Sequence, residues 1–124
     1  MSAASGTMAK RTFNSPDETR PFEEDSGELR LVNTDQGAVG QATFRPGWRW
    51  SKHVKPIAKT ESCQAAHVGY FVSGRLHVRM DDGSEEEFGA GDVHIIPPGH
   101  DAWVVGDEPV VAVDWTGFSD YAKR

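Results

Sequence analysis

With one cysteine, Cys63, in 124 residues, the chain can form no internal disulfide. That excludes a disulfide-stapled secreted framework and fits a reducing compartment. No apolar run approaches the ~20 residues that a membrane-spanning helix needs. Basic residues are scarce: 13 Lys and Arg stand against 19 Asp and Glu, for a formal net charge of -6. A chain so short of positive charge lacks the basic face that nucleic acid or an anionic membrane would require. Met1 to Gly6 is small and polar rather than basic and then greasy, unlike a secretory leader. There is no phosphate-cradling glycine loop and no nucleophile turn, so neither a nucleotide cofactor nor Ser-His-Asp catalysis is expected. These absences predict a cytoplasmic protein of one domain, with neither nucleic acid nor membrane as a partner.

What is present is β-like. Residues 1–26 are polar, with Phe13 and Phe22 as the only anchors, and predict an arm that is partly disordered. Met8 could be an alternative start. From residue 27 to 124 one domain is expected, built from short runs set off by Gly, Pro and Asp: 28–34, 37–45, 48–54, 64–72, 75–80, 84–88, 92–97, 101–105 and 109–115. Alternation is clearest where Leu76, Val78 and Met80 interleave with Arg75, His77 and Arg79. Asp82-Gly83 signals a two-residue hairpin with positive φ at both positions. No stretch carries a 3.6-residue apolar stripe, and only the tail after Trp115 has room for a short helix. The pattern predicts an all-β antiparallel sandwich or barrel.

Five histidines divide by the face they take. His77 alternates with Leu76 and Val78 and reads as a surface side chain. His94 shares the parity of Asp92 and reads as structural or surface. His53 ends the 48–54 run, His67 lies on the face of the small residues Cys63 and Ala65, and His100 follows the rigid turn Pro97-Pro98-Gly99. Imidazoles on separate strands can converge within a closed sheet, where neutral rings bind transition metals well. Cys63, with no basic neighbour in sequence, reads as an inert buried thiol.

The order of these features resembles the cupin superfamily. Gly47 is followed after five residues by His53, and His67 is followed after six by Gly74, within HVGYFVSGRL; GDVHIIPPGHDAW supplies Gly91, Pro97 and Gly99 at the second motif's places. Between about Phe44 and Trp115 both motifs occur in the family's order. The resemblance implies a cupin-type jelly-roll β-barrel and a metal held by histidines and a glutamate.

The departures matter for function. Lys55 occupies the place of the second histidine of the first motif, and His67 stands where the family has its glutamate. Ala102 falls at the second motif's histidine, with His100 two places early. The expected replacement is a three-imidazole metal site of His53, His67 and His100, with Cys63 or Gln64 as a fourth contact, holding Zn, Fe, Ni or Mn. Cys63, Gln64, Lys55, Phe71 and Trp103 are expected around the pocket. Alternation turns Trp48 and Trp50 away from His53, which predicts either a homodimer through that face or cover from the N-terminal arm. Two functional readings remain open: a small-molecule-binding cupin with a metal in its pocket and no assured catalysis, or a metal-dependent dioxygenase or isomerase-like enzyme.

Overall fold

The structure is a computed structural model and describes residues 7–124; the first six residues of the expected arm at 1–26 lie outside them. Its strands are β1 (Glu18–Pro21), β2 (Gly27–Thr34), β3 (Gly37–Phe44), β4 (His67–Ser73), β5 (Arg75–Met80), β6 (Glu85–Gly89), β7 (Val93–Ile96), β8 (His100–Val104) and β9 (Val110–Thr116). Two helical turns, α1 (Trp50–His53) and α2 (Lys55–Ala58), separate β3 from β4. All the pairings are antiparallel. One sheet runs β1-β2-β3-β9-β4-β7 and the other β6-β5-β8. Their inner faces share one apolar core that includes Leu29, Phe44, Phe71, Leu76, Val78 and Val110. The fold is the all-β jelly roll expected, although the sheets do not close into a barrel.

Alternation sets which side chains meet in the middle. In β4, His67, Gly69 and Phe71 face inward while Tyr70 and Val72 face out; in β9, Val110, Ala112 and Asp114 face inward. The β5–β6 hairpin forms where expected, by a different turn. Met80 N–H donates to Ser84 O (2.8 Å) and Gly83 N–H to Met80 O (2.9 Å), enclosing Asp81-Asp82-Gly83. Only Gly83 has positive φ (90°), as in a three-residue loop ending on a left-handed residue.

The segment 48–54, expected as a strand, is mostly helical turn. Only Arg49 bridges, to Trp103. The carboxylate of Asp101 on β8 accepts the Ser51 N–H (3.0 Å) and so takes up a donor that the first turn leaves free. Pro56 then sits in the first turn of α2, where its missing N–H costs nothing. Helical geometry also overturns the exposed face assigned to Trp48 and Trp50, each only 2% exposed. The Phe22 ring lies 6.0 Å from Trp48 and 5.5 Å from Phe44, so the N-terminal segment supplies the cover.

That segment is built into the sheet from Glu18 onward. Arg11 pairs with Asp17 (3.0 Å), and buried Arg20 pairs with Glu18 (2.7 Å). Arg20 also donates to the carbonyls of Phe118 (3.3 Å) and Tyr121 (2.9 Å), tying β1 to the C-terminal tail. The tail holds no helix. After β9 it turns back so that Phe118, Tyr121 and Ala122 are buried.

Candidate metal centre

His67 enters from β4 in the larger sheet and His100 from the start of β8 in the smaller one. Cys63 comes from the connecting loop. Their ligand atoms all lie within 4.8 Å of one another. Backbone bonds pin two of the three: Cys63 N–H donates to His100 O (2.7 Å), and Gly99 N–H donates to Cys63 O (2.7 Å). The Pro97-Pro98-Gly99 turn thus holds His100 beside the thiol. The Cys63 Sγ stands 3.8 Å from His67 Nε2.

Both imidazoles are oriented by their other nitrogen. His67 Nδ1 donates to Asp114 Oδ2 (2.7 Å) and His100 Nδ1 donates to Pro97 O (2.8 Å). These bonds fix the tautomers and leave each Nε2 with its lone pair free to accept, that of His67 facing the Cys63 thiol. A carboxylate or carbonyl behind the ring is the usual support of a metal-ligating histidine. Burial holds the His100 pKa down to about 4, against 6.5 for a free imidazole, so the ring is a neutral donor at neutral pH. Burial pushes the Cys63 thiol up to about 11. A bound cation would reverse that, because a coordinating thiol loses its proton.

Asp114 is 1% exposed and, among the described residues, forms no ion pair with Lys or Arg; its other oxygen, Oδ1, accepts from His94 Nε2 (2.5 Å). Space for this arrangement comes from Gly69, which pairs with His94 on one side and Asp114 on the other. A Cβ at Gly69 would lie 2.4 Å from Asp114 Oδ1 and 2.0 Å from Val113 O. A buried carboxylate between two imidazoles needs positive charge nearby. A cation on the Nε2 side of His67 would provide it, so the donor set fits a transition metal.

Inside the sandwich a cavity of about 40 Å³ is lined by His67, Phe71, His94, His100 and Asp114 among apolar neighbours. Trp48 Nε1 and His94 Nδ1, both in its wall, are buried without a hydrogen-bond partner. An outer cleft of about 430 Å³ runs between the helical turns (Val54, Ile57, Ala58) and the tail from Gly117 to Lys123, with Cys63, Gln64 and Ala65 in its wall. Trp50 and Tyr121 separate it from the inner cavity.

The structure brings together His67 and His100 of the expected three histidines, with Cys63 in place of His53. His53 is buried, but its Nδ1 accepts the Arg49 N–H (3.0 Å) across its own helical turn, which takes it out of the cluster. Lys55 swings outward to Glu61 (3.8 Å). Gln64 lines the outer cleft and donates to Ser62 O (3.3 Å). Phe71 lines the inner cavity as expected. Trp103 does not line either space: His100 and Ala102 take the inward positions of β8, so the indole faces out between the Arg49 guanidinium (4.2 Å) and the His77 ring (4.9 Å). His77 is on the outside as expected and donates to Glu85 (2.6 Å).

Sequence reasoning missed Asp114 and undervalued His94. The signal for Asp114 was present: it shares the inward parity of Val110 and Ala112. His94 was obscured because Val93 and Ile95, the apolar members of its strand, face solvent.

Residues 48–116 match the family profile described as the EutQ-like cupin domain. No curated protein matches the sequence. Among solved structures, a protein of unknown function from Acidithiobacillus ferrooxidans superposes with a TM-score of 0.59 at 19% identity, over 82% of this chain and 88% of that one. A cupin-superfamily sugar phosphate isomerase from Silicibacter pomeroyi gives 0.60 at 18% identity, over 86% and 73%. The oxalate decarboxylase of Lactobacillus farciminis gives 0.52 at 21% identity, over 77% of this chain and 30% of that one. At such identities these likenesses establish the fold and no more. With the profile spanning more than half its length, the chain belongs to the EutQ-like cupin domain family of the cupin superfamily.

Proposed function

We propose that this cupin holds a transition metal ion at Cys63, His67 and His100 and receives a small molecule through the adjoining cleft. The observation that carries the reading is the pair of buried imidazoles whose Nδ1 atoms are both engaged from behind, with ligand atoms of both rings and of Cys63 all within 4.8 Å of one another. A thiol with two imidazoles suits Zn, Fe or Cu and disfavours Mg or Ca, which prefer oxygen donors. When bound, such an ion supplies Lewis acidity to a ligand oxygen or nitrogen. The protein's share is to orient His67 through Asp114, to keep His100 neutral by burial, and to limit water with Tyr121 and Trp50. The outer cleft carries few charged groups, and Lys123 in its wall already faces Asp120 (3.8 Å). It suits a small, partly apolar molecule better than a polyanion. The enzymatic reading shares this site and differs only in whether the bound molecule is turned over.

Elemental analysis tests the reading, on protein as purified and after reconstitution with Zn(II) and with Fe(II). About one equivalent is expected, falling sharply in Cys63→Ser and His67→Ala and unchanged in His77→Ala. Less than about a tenth of an equivalent before and after reconstitution would overturn it.

A further inference from the structure

The outer face of β9, β4 and β7 does not look like a surface meant for water. A half-exposed antiparallel sheet ordinarily carries polar side chains on its solvent face. Here the outward positions hold Val68, Tyr70, Val72, Val93, Ile95 and Trp115, and none is charged. Register makes them one strip: Tyr70 lies between Val93 on β7 and Val113 on β9, and Val68 lies opposite Ile95. Tyr70, Val72, Val93, Ile95 and Trp115 are each between 41% and 72% exposed. The metal centre does not account for them, because it uses the opposite face of the same strands. Beyond β9 the surface turns polar, with Gln41 and Thr43 on β3 and the Arg30–Glu28 ion pair (2.6 Å) on β2. An apolar centre with a polar margin is the anatomy of an interface.

We propose that this strip is where two copies of the chain associate, face to face about a two-fold axis. An isologous contact requires one patch to complement itself, which an uncharged apolar strip does. Each chain carries a net charge of -6, so two copies repel over most orientations and least where charged side chains are missing. The exposed parts of the five large side chains amount to roughly 500 Å² per copy, at the upper end of patches on ordinary monomers and toward the ~800 Å² per partner of a stable complex. At the β7 edge Ile95 also borders a groove of about 370 Å³ floored by Val78, Met80, Phe88 and Ile96, where Ser84, Glu85 and Glu86 bring in the polar margin on that side. This pairing is independent of the metal reading.

Light scattering during gel filtration of the full chain tests it. Twice the 13.6 kDa chain mass is expected at micromolar concentration. Ile95→Glu should raise the dimer dissociation constant at least ~100-fold, with the wild-type circular dichroism spectrum retained. Trp115→Lys, on a different strand, gives the same readout should Ile95→Glu fail to fold. A wild-type monomer at roughly 100 µM, with the strip then left to a different protein, overturns the proposal. So does a dimer that survives the substitutions in folded protein.

Discussion

His100 is the side chain whose environment makes the clearest demand on solution behaviour. Its folded pKa of about 4 lies below the 6.5 of an exposed imidazole because burial penalises the cation. Between those two pH values the unfolded chain binds more protons than the folded one. Stability from this residue is therefore complete above about pH 6.5 and is lost as pH falls towards 4. In metal-stripped protein the loss should reach ~3 kcal/mol across that window. Comparing melting temperatures of wild type and His100→Gln at each pH isolates it from the general effect of acid on carboxylates. Equal pH slopes for the two proteins would show that the ring, 4% exposed in the fold, is not excluded from water. Asp114 makes a second demand, since it accepts from His67 and from His94 at once. Asp114→Asn keeps the shape but offers one oxygen where two were used, and its amide must face one of the histidines. A 10–100-fold weakening of metal affinity is expected, the range for losing such a supporting carboxylate. Competition with a chromogenic chelator reads it directly, and wild-type affinity would detach Asp114 from the site.

Among the elements, the C-terminal tail packs over the cluster, its Phe118 and Tyr121 rings 5.2 and 5.4 Å from the ring of His67. Tyr121 stands between the outer cleft and the inner cavity, and the tail is fastened at both ends. Arg20 donates to the carbonyls of Phe118 and Tyr121, and Arg124 donates to Pro21 O (2.9 Å). Arg20→Ala leaves two carbonyls without that buried donor, at about 1–3 kcal/mol for each that stays dry. The tail should then open more often, and Cys63, buried at rest, should react with iodoacetamide at least ~10-fold faster. An unchanged rate would place the route to the thiol elsewhere. How far such elements were legible in the sequence follows from how local their causes are. The strand β5 shows in its alternation, β4 and β9 show as short apolar runs between turn residues, and Gly83 marks its hairpin, because each depends on adjacent residues. Residues 48–58 misled because the Asp101 carboxylate that meets the Ser51 N–H arrives from β8, about fifty positions later. His67 and His100 stood out by their place in the cupin motifs and beside small neighbours. His53 had the same credentials and was lost with the strand that should have carried it. Asp114 and His94 stayed hidden because a strip of apolar side chains on the outer face inverted the usual reading of inside and outside.

At the scale of the whole molecule, the cluster joins two sheets that strand pairing leaves separate among the described residues. His67 belongs to the six-stranded sheet, His100 to the three-stranded sheet, and Cys63 to the loop that bridges to His100. No ladder links the sheets among the described residues, so their mutual placement rests on the apolar core and on short connections. A metal ion shared by these three side chains would act as a clasp between the layers, and would bind the unfolded chain far more weakly than the assembled site. Folding and binding are then linked: stabilisation grows as the logarithm of free metal, reaching about 2.7 kcal/mol at a hundredfold excess over the dissociation constant. For a domain of this size that corresponds to a rise in melting temperature of roughly 10 °C. The rise should vanish in Cys63→Ser/His67→Ala, and it should persist in Ile95→Glu, whose substitution lies on the opposite face of the sheet. A melting temperature indifferent to Zn(II) in wild type would mean that the three side chains do not close on one ion, since any ion bound by both layers must stabilise their packing.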